Sequence, residues 1–385
     1  MRIRTVILLL FSRVILSAQE RITLLFVGDL MQHQAQLDAA RTTAGTYDYT
    51  PCFTHVKEQI SQADLAIGNL EVTLGGKPYQ GYPAFSAPDE YLTAIQDAGF
   101  DILLTANNHC LDRGKQGLER TIQQLETRHI PFAGTYRNIE ERKQRYPLFI
   151  EKKGFRIALL NYTYGTNGIQ VKAPNIVNYM DKEQMAKDIR SAQARRPDAI
   201  IACMHWGDEY KRMPNQTQQQ LADWLLEQGV THIIGSHPHV IQPMEIRTSG
   251  HRQHVVVYSL GNFISNMKAP YTDGGVMVTL ELEKFPLTNH PIPPQFFPEK
   301  ATFSHEPTPF MKPYCQLARC DYTLVWTLRP EWNATRNFQL IPADYLPESL
   351  PQTAQNRRAF FLTKSRELLN KPNQGIEETL NQPDK

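Results

Sequence analysis

Short runs of β-branched and other apolar residues, each followed at once by polar ones, recur through the first 265 residues of the chain. Ile22 to Val27 runs into Gly28-Asp29, Asp64 to Ile67 into Gly68-Asn69-Leu70-Glu71, and Ile102 to Thr105 into Ala106-Asn107-Asn108-His109. Ala199 to Met204 is followed by His205-Trp206-Gly207, His232 to Ile234 by Gly235-Ser236-His237, and Val255 to Tyr258 by Ser259-Leu260-Gly261-Asn262. Such runs predict strands buried on both faces. Between them, Leu118 to Leu125 and Gln216 to Gln228 carry apolar residues at helical spacing, and Pro88 to Ala98 opens with the Pro-Asp-Glu of a helix start. Strands alternating with helices predict an α/β sheet, in which functional groups gather just beyond the strand ends.

Past Glu283 the rhythm breaks. Pro286, Pro291, Pro293, Pro294, Pro298, Pro307, Pro309 and Pro313 crowd a stretch that no regular element tolerates. This is a boundary or a long excursion, and it divides a domain over 22–283 from an extension over 284–385. In the extension, Tyr322 to Leu328 and Asn337 to Ile341 read as short strands, Pro351 to Leu369 as a polar helix, and 370–385 as a disordered tail. At the other end, Arg2 and Arg4 precede an apolar stretch from Val6 to Leu16 and then Ser17-Ala18, the layout of a signal peptide over 1–18. That run is too short to span a bilayer comfortably.

Composition adds bounds. With 41 basic and 39 acidic residues and a net charge of +2, the chain has no field that would recruit nucleic acid or an anionic membrane, so specificity must come from a local site. A 41% hydrophobic content suffices for a large core. Five cysteines are too few for a disulfide framework; Cys315 and Cys320 can pair if the protein is exported, and Cys52, Cys110 and Cys203 read as buried small residues.

The chemistry lies at the strand ends. Asp29, Glu71, Asn108-His109, His205 and His237-x-His239 offer carboxylate, amide oxygen and imidazole, the donor set of a zinc, manganese or iron site. One such strand end means little, since a lone Asp usually caps a helix. A cluster of unpaired polar groups at converging ends, however, is costly without a partner. Asn108 can give a neutral oxygen to a metal, while His109, facing another way, suits proton donation. His237 and His239, in GSHPHVIQP, are expected in an extended segment held by Pro238, on one side and each reaching a different metal.

FVGDLM at 26–31, GNLEVTLGGKPYQGYPAFSAPDEYL at 68–92, TANNHCLDRGKQGLERT at 105–121, LNYTYGTNG at 160–168, MHWGDEY at 204–210, IIGSHPHVIQPME at 233–245 and YSLGNF at 258–263 together resemble the CapA family of bacterial capsule and poly-γ-glutamate synthesis proteins, a branch of the calcineurin-like metallophosphoesterases. The resemblance implies a four-layer α-β-β-α sandwich and one or two divalent ions (Mn, Zn or Fe) at the strand ends. Asp29 matches the first-motif aspartate, Asn108 and His109 the Asn-His pair, His205 the isolated histidine, and His237 and His239 the final motif. Two positions depart from the superfamily. Met31 stands where a histidine is usual, with His33 as a distant substitute, and Asn69 stands where the bridging aspartate is usual, which leaves Glu71 as the preferred carboxylate. The expected tight seat is Asn108, His205, His237 and Glu71, with a weaker one at Asp29, Glu71 and His239.

Asp112 and Arg113 are candidates to orient His109 and receive an anion; Lys77 to Phe85 reads as a mobile loop that could close over the site. The implied role is an exported protein, periplasmic or at the cell surface, acting in capsule or poly-γ-glutamate synthesis as a metal-dependent hydrolase with metal-activated water as nucleophile. Its partners would be an anionic cell-envelope polymer or a phosphoester substrate, and the membrane machinery of capsule synthesis. Two further readings stand beside it: a non-catalytic accessory for polymer assembly or export, and a hydrolase of γ-glutamyl amide bonds.

Overall fold

The computed structural model describes residues 20–250, 252–285, 314–347, 349–370, 373 and 375–380. The expected signal peptide and most of the proline-rich stretch lie outside them.

Two sheets pack face to face. The first runs, in order, Gln339–Pro342, Tyr314–Leu328, Gly274–Phe285, Glu20–Leu30, Leu65–Leu70, Ile102–Leu104 and Phe132–Ala133, with Asn262–Ile264 beside Glu20–Leu30 and Glu377–Glu378 beside Tyr314–Leu328. From Glu20–Leu30 to Phe132–Ala133 it is parallel; Gly274–Phe285 turns it antiparallel. The second runs Met244–Ser249, Arg252–Val257, His232–Ser236, Ala199–His205, Phe155–Thr163 and Leu148–Lys152, with four parallel strands inside two antiparallel edges.

The alternation of side chains along each strand makes the layers. Leu24 and Phe26 point between the sheets and meet Ile157, Leu159, Ile201, Cys203, Val255 and Val257. Leu25 and Val27 point the other way, into a helical layer that supplies Phe53, Ile60, Tyr91, Ile95, Leu118 and Ile122. On the far side of the second sheet, Ala158, Leu160 and Ala202 pack against Met185, Ile189, Leu221 and Leu225. The result is the expected four-layer α-β-β-α sandwich. Its central strands are covered on both faces, which is why they read as unbroken apolar runs.

Helix boundaries follow local chemistry. Asp181 and Asn215 cap Lys182–Ala194 and Gln216–Glu227 by accepting from the amides of Gln184 and Gln218, and Gln218 completes a capping box. The Pro88 start is real, with Asp89–Asp97 following it.

Of the two readings of the proline-rich stretch, boundary or long excursion, strand pairing across it fits the excursion. Tyr314–Leu328 is one long strand that pairs along the whole of Gly274–Phe285, so it continues the first sheet past the boundary drawn at 283. Proline crowding marks the connection, not the end of the fold. The helix Gln352–Leu369 puts Ala354, Phe361, Leu362 and Leu369 into the core between the sheets. Part of the tail is also ordered, since Glu377–Glu378 pairs with Asp321 and Tyr322. Cys315 and Cys320 sit on the same strand and are unpaired. Five residues of extended chain hold them roughly 16 Å apart, beyond disulfide reach. Cys52, Cys110 and Cys203 are buried thiols as expected.

Candidate metal centre

The parallel register brings the strand ends together. Asp29 lies beside Asn69 on adjacent strands of the first sheet, and His205 beside Ser236 in the second. Asp29, Glu71, Asn108, His205, His237 and His239 are all at most 2% exposed. Three sets of donor atoms lie within 4.8 Å of one another: Glu71 with His205 and His237, Asp29 with Glu71 and His239, and Glu209 with His237 and His239. Glu71 is common to the first two.

Asn69 does not act as a donor oxygen here. Its Nδ2 donates to Asp29 Oδ1 at 2.8 Å and to Glu71 Oε2 at 3.3 Å, while its Oδ1 accepts from Asn107 Nδ2. It ties the two carboxylates together. Asn107 in turn donates to the Leu70 carbonyl at 2.8 Å and accepts from the His109 amide, which fixes the turn that presents Asn108 and His109.

His239 Nδ1 lies 3.2 Å from Asp29 Oδ2 and 3.0 Å from Asn262 Oδ1. Both are acceptors, since Asn262 Nδ2 is spent donating to the Thr272 carbonyl, so Nδ1 carries the proton. Nε2 is the nitrogen turned towards Glu71 Oε1, 3.8 Å away. His205 Nε2 is also 3.8 Å from that oxygen and 2.9 Å from Asn108 Oδ1. Asn108 is oriented by its Nδ2, which donates to Asn167 Oδ1 at 3.2 Å.

Charge in this pocket is strained. Burial, reinforced by the charge of Asp29, pushes the Glu71 carboxyl well above the usual range. Burial also works to raise Asp29, but the hydrogen bond and charge of His239 outweigh it and hold Asp29 low. Burial works to lower His239, but the hydrogen bond and charge of Asp29 outweigh it and raise its pKa. Burial and the neighbouring histidines depress His205 well below its ordinary value, and burial with the charge of His239 takes His237 down to about 3.

The donor set fits a divalent cation on two observations. Glu71 Oε1 and His237 Nδ1 are buried without a hydrogen-bond partner, a costly state that a cation would relieve. The carboxylate and imidazole donors of each set lie within 4.8 Å of one another, the ligand chemistry of a borderline divalent cation.

His109 stands apart from these sets. Its Nδ1 is 2.8 Å from Asp112 Oδ2, which also accepts from the Phe85 amide at 2.8 Å. Burial raises the Asp112 carboxyl, against the hydrogen bond and charge of His109. Arg113 does not join the pair; it donates to the Pro78 carbonyl at 3.1 Å. The loop expected to be mobile is thus fastened at Phe85 by Asp112 and at Pro78 by Arg113.

Two other expectations change. His237 and His239 are not in an extended segment: their φ angles are +100° and +58°, so a bend around Pro238, not a strand pleat, turns both rings inward. Their ring centroids are 5.7 Å apart. His33 belongs to none of the donor sets. It starts the helix Gln34–Ala40, and its Nδ1 contacts Gln36 Oε1 and accepts from the Asn266 amide. Burial lowers its pKa to about 4. Met31 is buried among apolar residues; its carbonyl accepts from Gln36 and Tyr91 and its amide donates to the Ile264 carbonyl.

Sequence reasoning assigned no role to Glu209, Asn262 or Asn167. Asn262 follows a strand run in YSLGNF and Glu209 follows His205 in MHWGDEY, so position was the available signal, but neither residue type distinguishes a site from a surface turn.

The profile of a family described as bacterial capsule synthesis protein PGA_cap matches residues 23–267. The capsule biosynthesis protein CapA of Bacillus anthracis is 27% identical over 274 residues, covering 68% of this chain and 64% of that protein. The PGA biosynthesis protein CapA of Bacillus subtilis (strain 168) is 30% identical over 266 residues, covering 67% of each. The chain thus spans about two thirds of the length of these curated relatives. Among solved structures, the calcineurin-like phosphoesterase YfkN from Bacillus subtilis is similar with a TM-score of 0.44 and 12% identity, covering 92% of this chain and 100% of that one. The NAD nucleotidase NadN of Haemophilus influenzae has a TM-score of 0.46 and 11% identity, covering 94% of this chain and 57% of that one.

Proposed function

The chain belongs to the PGA_cap family of bacterial capsule synthesis proteins, and from that premise we propose that it is an exported, metal-dependent hydrolase acting on a phosphoester or related bond in making a cell-envelope polymer, capsule or poly-γ-glutamate. The observation that carries the reading is Glu71 Oε1: buried, without a hydrogen-bond partner, and equidistant at 3.8 Å from His205 Nε2 and His239 Nε2.

Asn108, His205, His237 and Glu71 would hold one ion, and Asp29, Glu71 and His239 a second, with manganese, zinc and iron all suited to such donors. When bound, the ions supply Lewis acidity at the substrate oxygens and a more acidic water. The residues of the chain do the rest. Asn69 keeps the two carboxylates facing the histidines, and Asn262 fixes the His239 tautomer. Asp112 holds His109 by Nδ1, so that the ring, protonated on both nitrogens, would give its Nε2 proton to a departing oxygen. Among the described residues no helix is long and apolar enough to cross a membrane.

A binding-only, accessory role in polymer assembly or export is favoured by Met31, which contributes no ligand where the superfamily has a histidine. Turnover separates the two. Protein supplied with Mn2+, Zn2+ or Fe2+ is assayed for release of phosphate from phosphoesters and of glutamate from γ-linked oligomers. Hydrolysis lost in His109→Ala with metal retained supports the proposal. Bound metal without turnover of either substrate contradicts it in favour of the accessory role, and glutamate release alone redirects it to amide chemistry.

A further inference from the structure

Four tyrosines are exposed among the described residues, Tyr82 at 69%, Tyr164 at 45%, Tyr210 at 45% and Tyr345 at 41%. The first three lie beside histidines of the proposed site. Tyr164 stands 4.5 Å from the His237 ring and lies nearly parallel to His205 at 6.3 Å. Tyr210 is 6.3 Å from His239, and Tyr82 is 6.4 Å from His109. Each comes from a different loop, and each loop is tied to the site. The Tyr164 amide donates to the His205 carbonyl at 3.0 Å and the Tyr210 amide to the Pro238 carbonyl at 2.8 Å. Tyr210 also holds a φ of +64°, a conformation unfavourable for a bulky residue and one that points to a functional constraint.

We infer that Tyr82, Tyr164 and Tyr210 form an aromatic rim that binds the saccharide portion of a sugar-phosphate ligand whose phosphate occupies the histidine cluster. The inference rests on the metal-site reading above and deepens it. Glu209 adds a carboxylate beside His237 and His239, which disfavours a polyanionic ligand there. Aromatic faces carry negative charge density that attracts the electropositive C–H face of a sugar ring, and tyrosine hydroxyls add hydrogen bonds for its hydroxyl groups. Rings spread over three loops suit an extended, ring-bearing ligand.

Calorimetric titration of the Mn2+-loaded full chain with inorganic phosphate, glucose 1-phosphate, adenosine monophosphate and a γ-linked glutamate pentamer tests this. Glucose 1-phosphate is expected to bind about tenfold or more tighter than inorganic phosphate. Tyr164→Ala and Tyr210→Ala each reduce that preference about three- to tenfold with metal content unchanged, whereas Tyr164→Phe and Tyr210→Phe retain most of it. Phosphate binding without sugar preference, a preference unaffected by the alanine variants, or tighter binding of the nucleotide or the glutamate pentamer overturns the saccharide assignment alone. Failure of the wild-type chain to bind metal or any phosphate overturns the site reading and this inference with it.

Discussion

Glu71 shows how one buried residue can work against the fold until it has a partner. Burial and Asp29 raise its carboxyl, so the unfolded chain gives up this proton above about pH 4.5 while the folded one keeps it, and stability falls as pH rises through that region. Glu71→Gln removes the penalty. Without metal, the variant should be more stable than the wild type at pH 7, yet bind divalent ions at least about tenfold more weakly. Urea unfolding with and without Mn2+ checks both signs; equal metal affinity would contradict the bridging role. His232, remote from this cluster, provides a pH test of burial. Its pKa is lowered to about 3 by burial, with the charge of His254 as a smaller cause, and its Nδ1 accepts from the Val255 amide. Between about pH 6.5 and 3 the unfolded chain takes up this proton and the folded chain does not, so stability falls by about 1.4 kcal/mol per unit as pH drops. His232→Asn should flatten the dependence of unfolding free energy on pH by that amount between about pH 5.5 and 4; parallel curves would refute it.

The strand ends are the unit in which sequence and site correspond. Apolar runs stop where polar donors begin because the donors occupy the rim of a sheet buried on both faces, and that junction is visible in one dimension. What it does not display is the side-chain partnership across strands. Asn69 reads as a poor ligand but serves as a donor between Asp29 and Glu71, and the inward turn of His237 and His239 depends on positive φ angles that residue type did not announce. Close backbone approach is equally hidden. A Cβ on Gly28 would lie 1.9 Å from the Gly261 carbonyl, the same carbonyl that accepts from the Asp29 amide at 3.2 Å. Gly28→Ala must therefore push the two strands apart next to Asp29. The expected outcome is loss of most metal binding and destabilisation of about 2 kcal/mol or more, read by metal analysis and denaturant unfolding; a variant matching wild type in both would remove Gly28 from this role.

At the scale of the molecule, an α/β sheet of buried strands was legible in the apolar runs and the two-sheet sandwich only through the family resemblance, whereas the C-terminal contribution was not. Proline density at 286–313 resembles a domain boundary, but pairing between Gly274–Phe285 and Tyr314–Leu328 is a long-range fact that local pattern does not encode. The strand and helix beyond it place Leu324, Trp326 and Phe361 in the core between the sheets. A chain ending at residue 285 would expose this face and leave a long unpaired edge. It is expected to aggregate or to unfold without a cooperative transition, and a soluble, cooperatively folding fragment would show the first 285 residues to be self-sufficient. Function here depends on whether the converging strand ends hold metal. Mass-spectrometric metal analysis of the untreated full chain beside Glu71→Gln and His237→Ala tests that most directly. One or two divalent ions per wild-type chain and a marked loss in both variants are expected; trace metal in the wild type, or full occupancy in the variants, would contradict a metal centre at these strand ends.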